Sequence, residues 1–243
     1  MNGILRCSRY SFGPNRLHYC GPNRSIEVRD RINDEFADKG LREILSKFET
    51  MYPYLSHIAH ANRIADPLDE RVVEAYWIGN ELLERVDKRE FHRYLSEGLG
   101  LRKKFGTRGF SMMEEKIGEG ALPHHSFHVF DVWKRNGHGA REFSIEAIDE
   151  CRVAWGEVVS VAGPFIVVMT ERIVLRDGKM ALGMPEERKL VRELESEYDI
   201  EQLKKGDIVS IHWGIVCETL TPVQLKRLKK YTLHHLALAN ATF

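Results

Sequence analysis

A chain of 243 residues with 43% hydrophobic and 30% charged residues has the make-up of an ordinary globular protein, enough for one large domain or two small ones. Lysine plus arginine equals aspartate plus glutamate at 36 each, so the positive excess that phosphate binding needs is missing, and neither nucleic acid nor an acidic membrane surface is an expected partner. No apolar run approaches the ~20 residues that span a bilayer; Met1 to Pro14 lacks the apolar core of a secretory signal, and the four cysteines form no CxxC pair, so reduced thiols in a cytoplasm are expected.

In chain order, the first 25 residues read as irregular, with Gly13-Pro14 and Gly21-Pro22 as turns. This stretch holds three aromatics, His18, Cys7 and Cys20, which is rich for a tail, so it should pack against the body. Cys7, His18 and Cys20 are candidate metal donors; the alternative is small buried thiols filling gaps under a surface loop. From Ser25 to about Phe105 the apolar period is helical. Leu41, Ile44, Leu45 and Phe48 recur at i, i+3, i+4, i+7. Asp66-Pro67 reads as an N-cap with proline at the first helical position, and Asp87 with Glu90 as a capping box. A bundle of about four helices is expected, with the glycine-rich stretch from Gly106 to Gly120 as a loop.

His124, His125 and His128 place three histidines in five residues. His124 and His128 would share a face on a helix at i, i+4 and also on a strand, so either geometry permits chelation. A further ligand would come from elsewhere: Glu114, Glu115, Cys7 and Cys20 qualify by type. The alternative is a polar strand entry with one buried, hydrogen-bonded histidine.

After the connection from Arg141 to Glu150 the composition turns to β. Val153 to Val161, Phe165 to Met169 and Arg172 to Arg176 read as strands, with Asp177-Gly178 as a tight hairpin. Met184 to Glu197 reads as an amphipathic helical insertion on the spacing of Leu190, Val191 and Leu194. Ile208 to Trp213 is the last long strand, and Thr221-Pro222 caps a final helix. The expected fold is α+β: an N-terminal α-helical domain over residues 1–140, then a small OB-like β-barrel with a C-terminal helix over 141–243. Cys151, set at the mouth of the first strand, and His212, near the end of the last, make a candidate site.

Cys151-Arg152-Val153-Ala154-Trp155-Gly156-Glu157-Val158-Val159-Ser160-Val161 and Gly206-Asp207-Ile208-Val209-Ser210-Ile211-His212-Trp213-Gly214 together resemble the HypC/HupF family of nickel–iron hydrogenase assembly chaperones. Members begin Met-Cys, then a small apolar segment, a glycine and a β-branched strand, and carry Gly-Asp-x-Val-x-x-His-x-Gly later. In this chain the cysteine is internal, and Trp155 stands where the family has proline. The resemblance covers residues 151 to about 236, a third of the chain. It implies a non-enzymatic carrier in which Cys151 is the thiolate ligand, and His212 a second ligand or hydrogen-bond partner, of an iron bearing diatomic ligands. The implied partners are a HypD-type protein and the hydrogenase large subunit.

Three functions follow as expectations. The first is an accessory protein of hydrogenase maturation that scaffolds or delivers an iron group. The second is a metalloenzyme whose second, unidentified metal is held by His124, His125 and His128 with Cys7, His18 or Cys20, the barrel serving only for docking. The third is an OB-like interaction module without metal.

Overall fold

The computed structural model describes residues 2–133 and 144–241. The expected domain boundary near residue 140 and the start of the 141–150 connection lie outside the described residues.

Helix α1 (Gly3–Arg16) replaces the irregular segment expected at the N-terminus. It is buried on all sides, with Cys7 through Asn15 out of solvent in an unbroken run, so it shows no amphipathic period. Its polar residues are paired at long range. Arg6 donates to Glu74 and Glu218 at 2.8 Å each, and the Arg9 guanidinium grips both Asp199 oxygens at 2.9 and 2.7 Å. Ser8 and Ser11 return their hydroxyls to the carbonyls of Ile4 and Cys7. A charged group is tolerated in a core when paired in this way, and further Arg9 bonds to the carbonyls of Val216 and Cys217 fix the register of α1 on the sheet.

Helices α2 (Ser25–Asn33), α3 (Lys39–Ser46), α4 (Met51–Ala61), α5 (Glu70–Trp77) and α6 (Lys88–Arg93) follow. The stripe of Leu41, Ile44 and Leu45 is buried on α3, with Asp38 capping the Leu41 N–H. The capping aspartate of α5 is Asp69, three residues beyond the expected Asp66. Asp66 instead accepts from the Leu68 N–H and pairs with Arg42 at 2.7 Å. Asp87 caps α6 as expected, accepting from Arg89 and Glu90. Helix α7 (Leu101–Gly118) occupies the expected loop. It breaks only at Gly106, and its buried Phe110, Met113 and Ile117 carry a helical period that the glycines masked. Helix α8 (His125–Phe127) leads into a π turn over His128–Trp133, and α9 (Ile145–Cys151) precedes the sheet.

The sheet is five-stranded and antiparallel, in the order β3-β2-β1-β4-β5. Its strands are β1 (Ala154–Ala162), β2 (Phe165–Arg176), β3 (Lys179–Val191), β4 (Ile208–His212) and β5 (Ile215–Thr219). Asp177 and Gly178 turn the β2–β3 hairpin with φ of 52° and 76°, the left-handed pair of a type I′ turn. Two expectations are corrected. The two short strands over 165–176 are one strand, β2. The expected helical insertion over Met184–Glu197 is, as far as Val191, the far half of β3, whose Leu190 faces the core while its neighbour Val191 faces solvent. Glu186 to Lys189 form a charged edge on that strand, which discourages pairing with another chain. The sheet is open among the described residues, with β3 and β5 as its edges, so the OB-like barrel is not confirmed. Helix α10 (Pro222–Asn240) closes the chain, with the expected Thr221 cap completed by Gln224 as a capping box. Among the described residues no helix is long and apolar enough to cross a membrane.

The largest core cluster runs through both parts of the chain. It joins Cys7 and Tyr10 of α1, Tyr54 and Trp77 of the helical part, and Trp155, Ile215 and Cys217 of the sheet. Each such large apolar side chain contributes roughly 1.5–3 kcal/mol on burial, so helices and sheet stabilise one another along this seam. The candidate site lies on it.

Candidate metal centre

Three potential ligands converge at the seam. The ligating atoms of His125, Cys151 and His212 all lie within 4.8 Å of one another. Ligands bound at ~2.0–2.3 Å to a tetrahedral ion stand roughly 3.3–3.8 Å apart, so small side-chain rotations would close the set on one ion.

His212 ends β4, and Trp213 (φ 50°) with Gly214 (φ 76°) turns the chain directly into β5. Helix α1 crosses here because residue 13 is glycine: a Cβ at that position would stand 2.7 Å from the His212 carbonyl oxygen and 2.8 Å from the Trp213 Cβ. That close approach brings the Tyr10 carbonyl to 2.6 Å from His212 Nδ1. A carbonyl only accepts, so Nδ1 carries the proton and the lone pair sits on Nε2. Nε2 has no hydrogen-bond partner, on a residue only 1% exposed. Burial pushes the His212 pKa down to about 4, which keeps the ring neutral at pH 7 and able to act as a ligand. A ligand imidazole whose far N–H is held by a carbonyl is the usual outer arrangement of a metal site.

Cys151 is the last residue of α9 rather than the mouth of β1. Its position is set from both sides. The Trp213 N–H bonds the Glu150 carbonyl at 2.9 Å, and Asp149 holds Arg152 and Arg172 at 2.9 and 2.7 Å. Burial pushes the Cys151 thiol well above its ordinary pKa, and nearby Cys20 adds to that. The thiol is therefore neutral until a cation draws off its proton.

His125 comes from the helical part. Its Nε2 donates to the Cys151 carbonyl at 2.8 Å, and its Nδ1 faces the Tyr76 hydroxyl at 3.1 Å. Burial, then the neighbouring His212 and His128, push its pKa well below the ordinary value. Its ring meets that of His212 edge-on at 5.0 Å.

These groups open onto a cavity of about 520 Å³, large enough for a small molecule as well as an ion. Tyr76, Trp77 and Trp213 form its inner walls, and Lys47, Glu49 and Thr50 also line it.

The two sites that the sequence suggested separately share this one cavity. Cys151 and His212 meet, and His125 joins them; His18, Cys20 and His128 line the same space. Four expected donors, Cys7, His124, Glu114 and Glu115, do not line it. Cys7 is buried with its sulfur 3.4 Å from Met51 Sδ, its thiol pushed up to about 12 by burial. His124 is the extended N-cap of α8 (φ −107°, ψ 150°), accepting from the Ser126 N–H and stacking on Tyr231. The expected His124/His128 face does not form, because helical geometry begins only at His125. Glu114 lies away from the cavity, paired with His92 at 2.7 Å. The supporting residues Tyr10, Tyr76 and Trp77 were read from sequence as packing alone, and their spacing carries no sign of a second role.

Fold and site together define an α+β protein with a buried His–Cys–His cluster where its helices meet its sheet. Within that class, the chain belongs to DUF6390, a family of unknown function, which it matches over residues 1–243. No curated protein and no solved structure matches the chain.

Proposed function

We propose that the chain is a cytoplasmic accessory protein of nickel–iron hydrogenase maturation that holds an iron group on Cys151 and His212, with His125 as a further ligand, for delivery to a partner. The observation that carries this reading is the convergence of the three ligating atoms within 4.8 Å. Cys151 and His212 are the two positions that the HypC/HupF resemblance implies as ligands, and they are brought together from distant stretches of chain.

The donor set fits the cargo. One soft thiolate and two imidazoles suit iron and other late divalent ions. Each residue around the set has a definable task. The Tyr10 carbonyl fixes the His212 tautomer. The Cys151 carbonyl holds the His125 Nε2 proton and leaves the lone pair on Nδ1, which the Tyr76 hydroxyl gives up when an ion binds. Ionisation of Cys151 needs the ion, so loading releases a proton and is favoured as pH rises. On this reading the partners are a HypD-type protein and the hydrogenase large subunit.

The test is metal analysis of untagged protein purified without oxygen. Iron should be present in the wild type, absent from Cys151→Ala and His212→Ala, and retained by His124→Ala. A metal-free wild type that still binds a HypD-type partner, unaffected by Cys151→Ala, would favour a plain interaction module.

One observation favours a second reading, a metalloenzyme. Three protein ligands leave a coordination position open, and the adjoining cavity of about 520 Å³ has room for a substrate. Metal that stays on the chain during incubation with both maturation partners would support the enzyme; metal that moves to the large subunit would support the carrier.

A further inference from the structure

Residues 17–24 form a strap between α1 and α2, and its residues 18–22 line the cavity onto which the three converging donors open. This strap is pinned at both ends of its turn: Asn15 Nδ2 donates to the carbonyls of Cys20 and Pro22 at 2.8 and 2.7 Å. It is pinned to the site as well, since the Tyr19 ring lies 4.1 Å from that of Trp213, the residue after His212. Cys20, at the centre of the strap, lines the same cavity as Cys151 and His212; its side chain is exposed and stands outside the three donors that converge within 4.8 Å, so it would join the ion from the open side.

We propose that Cys20 is the fourth ligand, so that the strap closes a two-histidine, two-cysteine metal site. This inference rests on the metal reading above and adds to it. Two observations meet in it. His212 Nε2 is buried without a hydrogen-bond partner and opens into this cavity, which marks the space as a ligand site independently of Cys20. The second is charge. A divalent ion with Cys151 as its sole thiolate keeps one net positive charge in a space walled by aromatic rings. Of the other described lining residues, Glu49 is the one carboxylate, and Lys47 offsets it. A buried net charge is costly. His18 and His128 line the cavity too but are neutral donors and leave that charge in place; a second thiolate cancels it. Each thiol gives its proton to solvent as its sulfur bonds the ion, so loading releases two protons and changes no oxidation state.

The test uses Co²⁺ as probe on the full chain, in wild type, Cys20→Ser, Cys151→Ala, His18→Ala and His128→Ala, with circular dichroism to confirm folding. Wild type should give the visible bands of tetrahedral Co²⁺ and near-ultraviolet thiolate-to-cobalt absorption, releasing two protons per ion to an indicator dye. Cys20→Ser should keep the ion but lose about half of the near-ultraviolet intensity, as one of two thiolates goes. It should release one proton fewer. Its affinity should fall by roughly 100-fold or more, the upper end of what loss of an outer-sphere partner causes. His18→Ala and His128→Ala should leave spectrum and proton count unchanged. An unchanged spectrum in Cys20→Ser, with binding abolished in Cys151→Ala, would overturn the role of Cys20 and leave the metal reading standing. Failure of the wild type to bind Co²⁺ would overturn both.

Discussion

Two groups of buried histidines lie side by side in this protein, and they end differently. His124, Ser126 and His235 form a packed group between α8 and α10, with Ser126 Oγ 2.7 Å from both His124 Nδ1 and His235 Nδ1. His125 and His212 form the other group, with Cys151 between the elements that carry them. Burial pushes the pKa down in both, to about 3 for His124 and about 4 for His212. The packed group has neither cavity nor thiol, and its rings stack on each other and on Tyr231. Each group holds an orphaned ring nitrogen, His124 Nε2 in one and His212 Nε2 in the other, and the open group adds a sulfur and space. Burial and a lowered pKa therefore do not distinguish a ligand from a packing histidine; convergence with room for an ion does.

The largest expected contrast is in metal affinity. His212→Ala should lower affinity by at least roughly 100-fold, judged from what even outer-sphere losses cost. His235→Ala should leave it unchanged in the same equilibrium titration. Equal losses in both variants would erase the distinction between the groups.

Stability should respond in the opposite sense. His235→Ala removes a fully buried ring and leaves the Leu122 N–H without its Nε2 acceptor, and should destabilise the metal-free chain by about 2–4 kcal/mol in urea unfolding. His212→Ala borders the cavity and should cost less in the same experiment. A larger loss for His212→Ala would mark it as the structural residue of the two.

Acid should act on both groups. Their histidines have folded pKa values below the unfolded value of 6.5, so the unfolded chain binds more protons between the two. Their stabilising contribution is complete above pH 6.5 and is lost as pH falls from there toward about 4, at up to ~1.4 kcal/mol per pH unit for each histidine. Unfolding midpoints measured across that window should fall with pH, and His235→Ala should flatten the slope. A midpoint that stays level from pH 7 to 4.5 would contradict the neutral, buried state of these rings.

The smallest effect is expected from Tyr76→Phe. It deletes the hydroxyl that occupies His125 Nδ1, the nitrogen left with the lone pair, so metal affinity should hold or rise slightly with unfolding nearly unchanged; a clear drop would contradict Nδ1 as the ligand atom.

What was legible in sequence divides along the same seam. Cys151 and His212 could be picked out because their surroundings carry local signals: Gly206-Asp207 before the strand, Trp213-Gly214 after it, and residue types suited to a metal. His125 could be named only as part of its cluster. Spacing favoured His124 with His128, and an extended N-cap residue at His124 shifted the start of the helix by one position. Helix α1 was illegible for another reason. Its arginines and serines look like solvent-facing residues, yet Arg6 and Arg9 are satisfied by Glu218 and Asp199, far along the chain, and no local period reveals that. The charged half of β3 failed in the same way. Edge-strand charges hid the alternation, and the leucine spacing mimicked a helix. Helices α2 to α6 and the capped C-terminal helix follow from caps and apolar stripes that sequence shows directly, whereas the glycines of α7 hid its period.

The central claim is that one site spans both parts of the chain. Anaerobic metal analysis of the untagged wild type beside Cys151→Ala and His125→Ala tests it most directly, because those two ligands come from opposite sides of the seam. The account predicts stoichiometric metal in the wild type and its loss in both variants. Metal retained in full by either variant would contradict a site shared between the helices and the sheet.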